Sequence, residues 1–267
     1  MNEKYELTEE FKEIETLREG WLQKIKVYRI RALRAFADVK IGDLGGFVET
    51  KQNLSNMGNA WVYGNAEVYD NARVCDNAKV CDNARVYGNA KVYGDAWVCD
   101  NARVCGNAKV YGDAWVYGNA SVCGNAKVYG DARVCGNASV CGNAEVYGDA
   151  WVCGNASVCD NAEVCGNAEV YGDARVCGNA KVCDNANIFW CSSIGSRHAT
   201  TTMFRNTDNG ITVTCGCFLG TLEEFAERVE KEHGENIFGK EYKLLIELAK
   251  IHFGLQDETK GEEENGI

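Results

Sequence analysis

Four tryptophans, Trp61, Trp97, Trp115 and Trp151, are separated by 36, 18 and 36 residues, and Lys79 and Arg133 occupy the same register. Two places upstream, aspartate stands at Asp95, Asp113, Asp131 and Asp149, again every 18 residues. Broad aromatic faces beside carboxylates and a guanidinium suit contact chemistry, as anchors of a protein interface or stacking platforms for a sugar-like ligand. Three readings stay open for this stripe: packing against sister subunits, binding of another protein or ligand, and by-product. In the last, copying of an 18-residue block (compare 94–111 with 112–129) multiplied Trp and Asp together.

Cysteine and histidine suggest a second chemistry. Cys191, His198, Cys215 and Cys217 are the one Cys/His group outside the repeats, and four such donors suffice for a structural zinc. Cys215-x-Cys217 places both thiols on one strand face, however, and the spacing matches no standard knuckle, so small core residues are the stronger expectation. No cofactor is expected. Of fifteen cysteines, twelve alternate with tyrosine at a single repeat position, and Cys105, Cys123, Cys141, Cys159 and Cys177 form a ladder of period 18. Stacked, parallel Cβ vectors suit a disulfide torsion poorly. These cysteines are expected to be mostly free, as small half-buried hydrophobes in a reducing compartment. A metal on this ladder is disfavoured, because no His lies within the repeats.

What must position these residues is a six-residue phrase repeated 22 times between Gly58 and Ala186 without insertion: Gly/Asp, Asn/Asp, Ala, variable, Val, Tyr/Cys. In Ala60-Trp61-Val62-Tyr63, period-two alternation turns Ala60 and Val62 inward and Trp61 outward. The following Gly64-Asn65 is corner chemistry, since Gly, Asn and Asp tolerate positive φ. A unit this small buries its apolar side only by stacking on neighbours, which is solenoid architecture. The Trp, Asp, Ser (Ser121, Ser139, Ser157) and basic (Arg73, Lys91, Lys109, Lys127) registers all have period 18, so three units make a coil. The prism is triangular, with about seven coils spanning roughly 34 Å. The chain has no proline, as laddered backbone N–H groups require.

An aliphatic residue followed four places later by a small one, from Val62/Ala66 to Val182/Ala186, resembles the hexapeptide-repeat, left-handed parallel β-helix proteins. The left hand is taken from that resemblance; crossover rules by themselves favour the right. The flanks Tyr28–Leu33, Gly42–Gly46 and Gly216–Phe225 resemble hexapeptide-repeat proteins of bacteria, their phages and prophages, which implies a mobile-element setting and no particular reaction. Many hexapeptide-repeat proteins are acyltransferases, with a catalytic His near the coils and a projecting loop. Here the coils have neither, and His198, His233 and His252 all follow them. The carbonic-anhydrase-like variant needs three His on one zinc, an arrangement this sequence lacks.

The ends close the solenoid. Residues 1–57 read as an α/β cap: 7–19 has helical spacing through Phe11, Ile14, Leu17 and Trp21, Lys24–Leu33 reads as a strand, and Val48 and Leu54 open an imperfect first coil. The repeat domain is 58–190, and 191–256 reads as a small α+β module. Within it, Thr200–Arg205 and Ile211–Cys215 form a hairpin with Gly210 in the left-handed position. A capping box at Thr221-Leu222-Glu223-Glu224 opens a helix ended by His233-Gly234, and a second helix runs from about Lys240 to Phe253. Residues 257–267 are an acidic, disordered tail.

A net charge of −11 argues against nucleic acid. Mimicry of DNA fits poorly too, with ten basic residues among the fifteen acidic ones of the coils. No apolar stretch suits a membrane, and residues 1–4 are no signal peptide, so a cytoplasmic protein is expected (in the host cytoplasm if phage-encoded). The reading is a non-catalytic solenoid scaffold, self-associating as a trimer or binding a protein partner. A hexapeptide-type acyltransferase and a phage antagonist that captures a host protein or small ligand are the alternatives.

Overall fold

The structure, a computed structural model, describes residues 3–18, 20–206 and 208–255; the expected tail at 257–267 lies outside them. Two-residue strands recur every six residues, from β4 (Trp61–Val62), β5 (Glu67–Val68) and β6 (Arg73–Val74) to β24 (Lys181–Val182). They stack into three parallel sheets, two of them seven-stranded, and every third strand is a neighbour. The period-18 registers hold: Trp97 pairs with Trp115, Lys109 with Lys127, and Ser121 with Ser139. The repeated Val and Ala side chains fill the interior and are inaccessible to water.

Each corner from Gly58 to Gly178 begins with a residue at positive φ, such as Gly94 at +70°. A Cβ on Gly94 would lie 2.9 Å from the backbone nitrogen of Gly112. Where Asp replaces Gly at this place it keeps the conformation and caps the next coil: Asp100 Oδ2 accepts from Gly118 N at 2.9 Å, and Asp160 Oδ2 from Gly178 N at 3.1 Å. The second corner residue builds amide ladders. From Asn71 through Asn89, Asn107, Asn125, Asn143 and Asn161 to Asn179, each Nδ2 donates to the next coil's Oδ1 at 3.0–3.2 Å. A second ladder runs from Asn83 to Asp173. Such stacked amides are a feature of in-register parallel β-structure.

The N-terminal segment differs from expectation. Residues 5–18 form a strand, β1 (Tyr5–Arg18), antiparallel to β2 (Trp21–Ala32); Glu19 lies outside the described residues. The helical spacing is overridden by cross-strand pairs: Glu13 faces Lys26, Glu15 faces Lys24, Ile14 faces Ile25 and Leu17 faces Leu22. Opposite charges and matched aliphatics across a hairpin stabilise the extended form, and Gly20 at φ +83° makes the turn. Next, β3 (Leu44–Val48) pairs antiparallel with β2 and parallel with β5, so the hairpin continues one sheet and makes it ten-stranded. Val48 pairs with Val68 and Leu54 bridges Val74, as an irregular first coil should.

At the other end β25 (Ile188–Ile194) crosses the expected 190/191 boundary and pairs with β26 (Ala199–Arg205), followed by β27 (Ile211–Cys215) and β28 (Phe218–Thr221). In the β26–β27 turn Asn209, not Gly210, takes the left-handed conformation at φ +61°. Asn206 Oδ1 accepts from both Asp208 N and Gly210 N and holds that turn. Helix α1 (Leu222–His233) has the capping box at Thr221/Glu224 and ends at Gly234. Helix α2 (Ile237–His252) starts before Lys240, because Asn236 supplies an N-cap bond to Gly239 N. The module docks on the solenoid edge: Thr202 Oγ1 accepts from Arg175 N at 3.0 Å, and Thr214 Oγ1 donates to Arg175 O at 3.1 Å.

Candidate functional site

The seven-stranded sheet from β4 to β22 (Glu169–Val170) displays Trp61, Lys79, Trp97, Trp115, Arg133 and Trp151 in one outward row. Strand alternation aims them outward while the neighbouring Val enters the core. The row is not uniformly open. Trp61 was expected on the exposed stripe, yet it is 1% accessible. Tyr5 and Phe36 cover it with ring centroids at 6.2 and 5.3 Å. That part of the face belongs to the packing of the N-terminal segment.

The open part starts at Lys79, whose ammonium lies 4.6 Å from the Trp97 ring centroid and 3.3 Å from Asp38 Oδ1. Trp97 and Trp115 stack with centroids 5.0 Å apart and 5° between planes. Trp115 is 42% exposed. It borders a groove of about 520 Å³ lined by Cys99, Asp100, Trp115, Tyr117 and Arg133. The Arg133 guanidinium lies 5.8 Å from the ring of Trp151, which meets Tyr171 edge-on at 5.9 Å. One indole of the stacked pair, a guanidinium and an aspartate around one shallow groove can hold a flat or apolar group and orient its polar rim.

Asp95, Asp113, Asp131 and Asp149 border this row, all exposed. Asn59 donates to Asn77, and Asn77 Nδ2 donates to Asp95 Oδ1 at 3.0 Å. An ionised carboxylate has no proton to pass on, so the amide ladder of this edge ends at Asp95. The next three coils carry carboxylates where the other two edges carry amides. The sequence showed the substitution; its consequence, an interrupted ladder, appears only with the neighbouring ladders in view.

The cysteine ladder forms as spaced. Cys105, Cys123 and Cys141 are half-buried, Cys159 and Cys177 buried, and all five are free thiols. Eleven free cysteines agree with a mostly reduced chain, but two rung pairs correct the expectation for stacked positions. Cys81–Cys99 and Cys165–Cys183 are disulfides, with Cα separations of 4.7 and 4.2 Å. Coil spacing alone brings such pairs near disulfide range. A bond to Cys177 is the main factor holding the Cys159 thiol down, at about 7.

Cys191, His198, Cys215 and Cys217 are not brought together as a donor set. Two groups of three donors lie within 4.8 Å among the described residues, Cys81/Asp82/Cys99 and Cys159/Asp160/Cys177, and neither includes them. Cys215 Sγ takes a bond from Thr201 Oγ1 at 3.2 Å and meets Tyr242 Oη at 3.7 Å. Cys215 and Cys217 line a cavity of about 170 Å³ with His233 and Arg228, whereas His198 lines a different one. Of the other histidines, His233 contacts Tyr242, and His252 contacts Phe189 and Phe253.

No helix among the described residues is long and apolar enough to cross a membrane. No curated protein matches the chain. The family model described as YdcK beta solenoid repeat matches residues 78–94, 84–100 and 102–118, inside the coils that carry Trp97 and Trp115. Those matches and the three parallel sheets agree: the chain is a repeat-built parallel β-solenoid protein.

Proposed function

We propose that this β-solenoid is a non-catalytic scaffold whose Trp97–Trp115–Arg133–Trp151 row is a contact surface for a binding partner. One observation carries the reading: Trp115, stacked on Trp97, keeps 42% of its surface open beside a groove. Leaving indole area in water costs roughly 25 cal/mol per Å², and aromatic anchors with arginine dominate interface energies. A regular run of two-residue strands supports a scaffold over an acyltransferase, because nothing projects from the coils to build a substrate site. The likeness of the flanks to phage and prophage proteins supports a mobile-element origin.

The test is the triple variant Trp97→Ser, Trp115→Ser, Trp151→Ser, which uses a residue this column already accepts. Far-ultraviolet dichroism should match wild type, because the inward Ala and Val are untouched. Proteins retained by immobilised wild type from cells of its source should be lost from the variant. Equal retention by both refutes the reading.

A further inference from the structure

Helix α2 has two apolar faces, and among the described residues only one is packed inside the chain. Tyr242, Leu245, Ile246 and Ala249 face the module core. On the opposite side Ile237, Leu244, Leu248 and Ile251 fall within about 60° of arc at 100° per residue. Leu255 joins them beyond the helix end, held back by its N–H donating to Lys250 O at 2.8 Å. These five side chains are between 39% and 73% exposed. Together they present roughly 500 Å² of apolar surface, at the upper end of what monomers leave bare.

We infer that this face of α2 docks on the same face of a second copy, with the two helices antiparallel. Three observations select that occupant. The spacing from Leu244 to Leu248 and Ile251 is four, three, as in the seam of a helix packed on a helix. The seam is also self-complementary. A two-fold axis midway between Leu244 and Leu248 sets Leu244 against the partner's Leu248 and Ile237 against the partner's Leu255. An isologous contact requires such a relation. Finally, several polar groups beside the seam have partners within one chain. Glu241 Oε2 accepts from Gly195 N at 3.0 Å, Lys243 pairs with Glu230 and Glu235, and Lys250 pairs with Glu247. The same axis sets Ile251 against the partner's Glu241, whose carboxylate keeps its bond from Gly195 N.

Complete mutual burial of the two seams would remove about 1,000 Å² from water, the lower bound for a specific interface. A reversible, concentration-dependent dimer follows. The site is separate from the Trp row, which stays free for another partner.

Light scattering and sedimentation of the full chain should show mass rising from 29.3 kDa toward twice that value as concentration rises to about 200 µM. The double variant Leu244→Glu, Leu248→Glu should remain a monomer with unchanged dichroism, its self-affinity lowered by at least roughly 30-fold. Mixing it with Leu244→Lys, Leu248→Lys should restore a dimer, because the antiparallel pairing sets each new acid against a new base. A wild type monomeric throughout overturns the inference, as does a dimer that survives the Glu substitutions or a mixture that does not associate. The Trp97/Trp115/Trp151→Ser chain should still dimerise. If its dimer is lost instead, self-association belongs to the Trp row and the α2 proposal fails.

Discussion

The ammonium of Lys4 donates to the carbonyl oxygen of Ala60 at 2.8 Å, and no part of the lysine side chain reaches solvent. This bond ties the N-terminal strand to the residue before Trp61. Burial, with repulsion from Arg34, pulls the Lys4 ammonium down to about 8. Between that value and the unfolded value of 10.5, the unfolded chain binds the proton more strongly, so stability rises with pH. Below pH 8 both states are protonated and the contribution is flat. The stability of wild type relative to Lys4→Met should therefore climb by roughly 2–3 kcal/mol from pH 8 to 10.5. Chemical denaturation at several pH values reads this out. A difference independent of pH would show that Lys4 titrates normally.

The aspartate edge should be a site of strain between like charges. Asp113→Asn with Asp131→Asn removes two carboxylates from consecutive coils and lets amides pair there as on the other edges. The melting temperature should rise by a few degrees, equivalent to about 1 kcal/mol. The gain should shrink at high salt, where repulsion between exposed charges is screened. A lower melting temperature at low salt would indicate that the carboxylates serve the fold.

Asn125 both receives from Asn107 and donates to Asn143 at 3.0 Å. Asn125→Ala breaks both bonds and should cost about 1–2 kcal/mol. Asn119→Ala on the other amide edge should behave alike. Urea midpoints for the two variants provide the comparison, and unchanged midpoints would mean that the ladders merely decorate the surface.

Asp100 holds φ +59° and caps Gly118 N. Asp100→Gly keeps the backbone relaxed and loses only the cap, whereas Asp100→Ala loses the cap and strains the backbone. The alanine variant should be less stable than the glycine variant by about 1 kcal/mol or more. The opposite order in thermal melts would remove the left-handed corner as the reason for Gly and Asp at this place.

Thiol titration of the unfolded, unreduced chain should count eleven reactive cysteines, and reduction should raise the count to fifteen. Peptide mapping should assign the difference to Cys81–Cys99 and Cys165–Cys183. Fifteen thiols before reduction would show those rungs to be open.

Coil architecture was legible in the sequence because it is local and repeated. Ala, Val and a positive-φ corner every six residues have one way to bury their apolar side, and period 18 in the variable column counts the units per coil. Capping residues such as Thr221 and Gly234 act within a turn of their own helix, so α1 could be read directly. Residues 5–18 could not, because Glu13–Lys26 and Ile14–Ile25 pairing across a turn outweighs helical spacing along the strand. The fate of each tryptophan was equally hidden. Trp61 and Trp115 have the same repeat position, yet one is sealed by Tyr5 and Phe36 and the other lies open. Periodicity chooses the side of a strand, and only the packing of distant segments decides whether that side meets water. The outer face of α2 shows the same division: its helical spacing is written in the chain, while its exposure depends on α1 and the sheet packing against the other side.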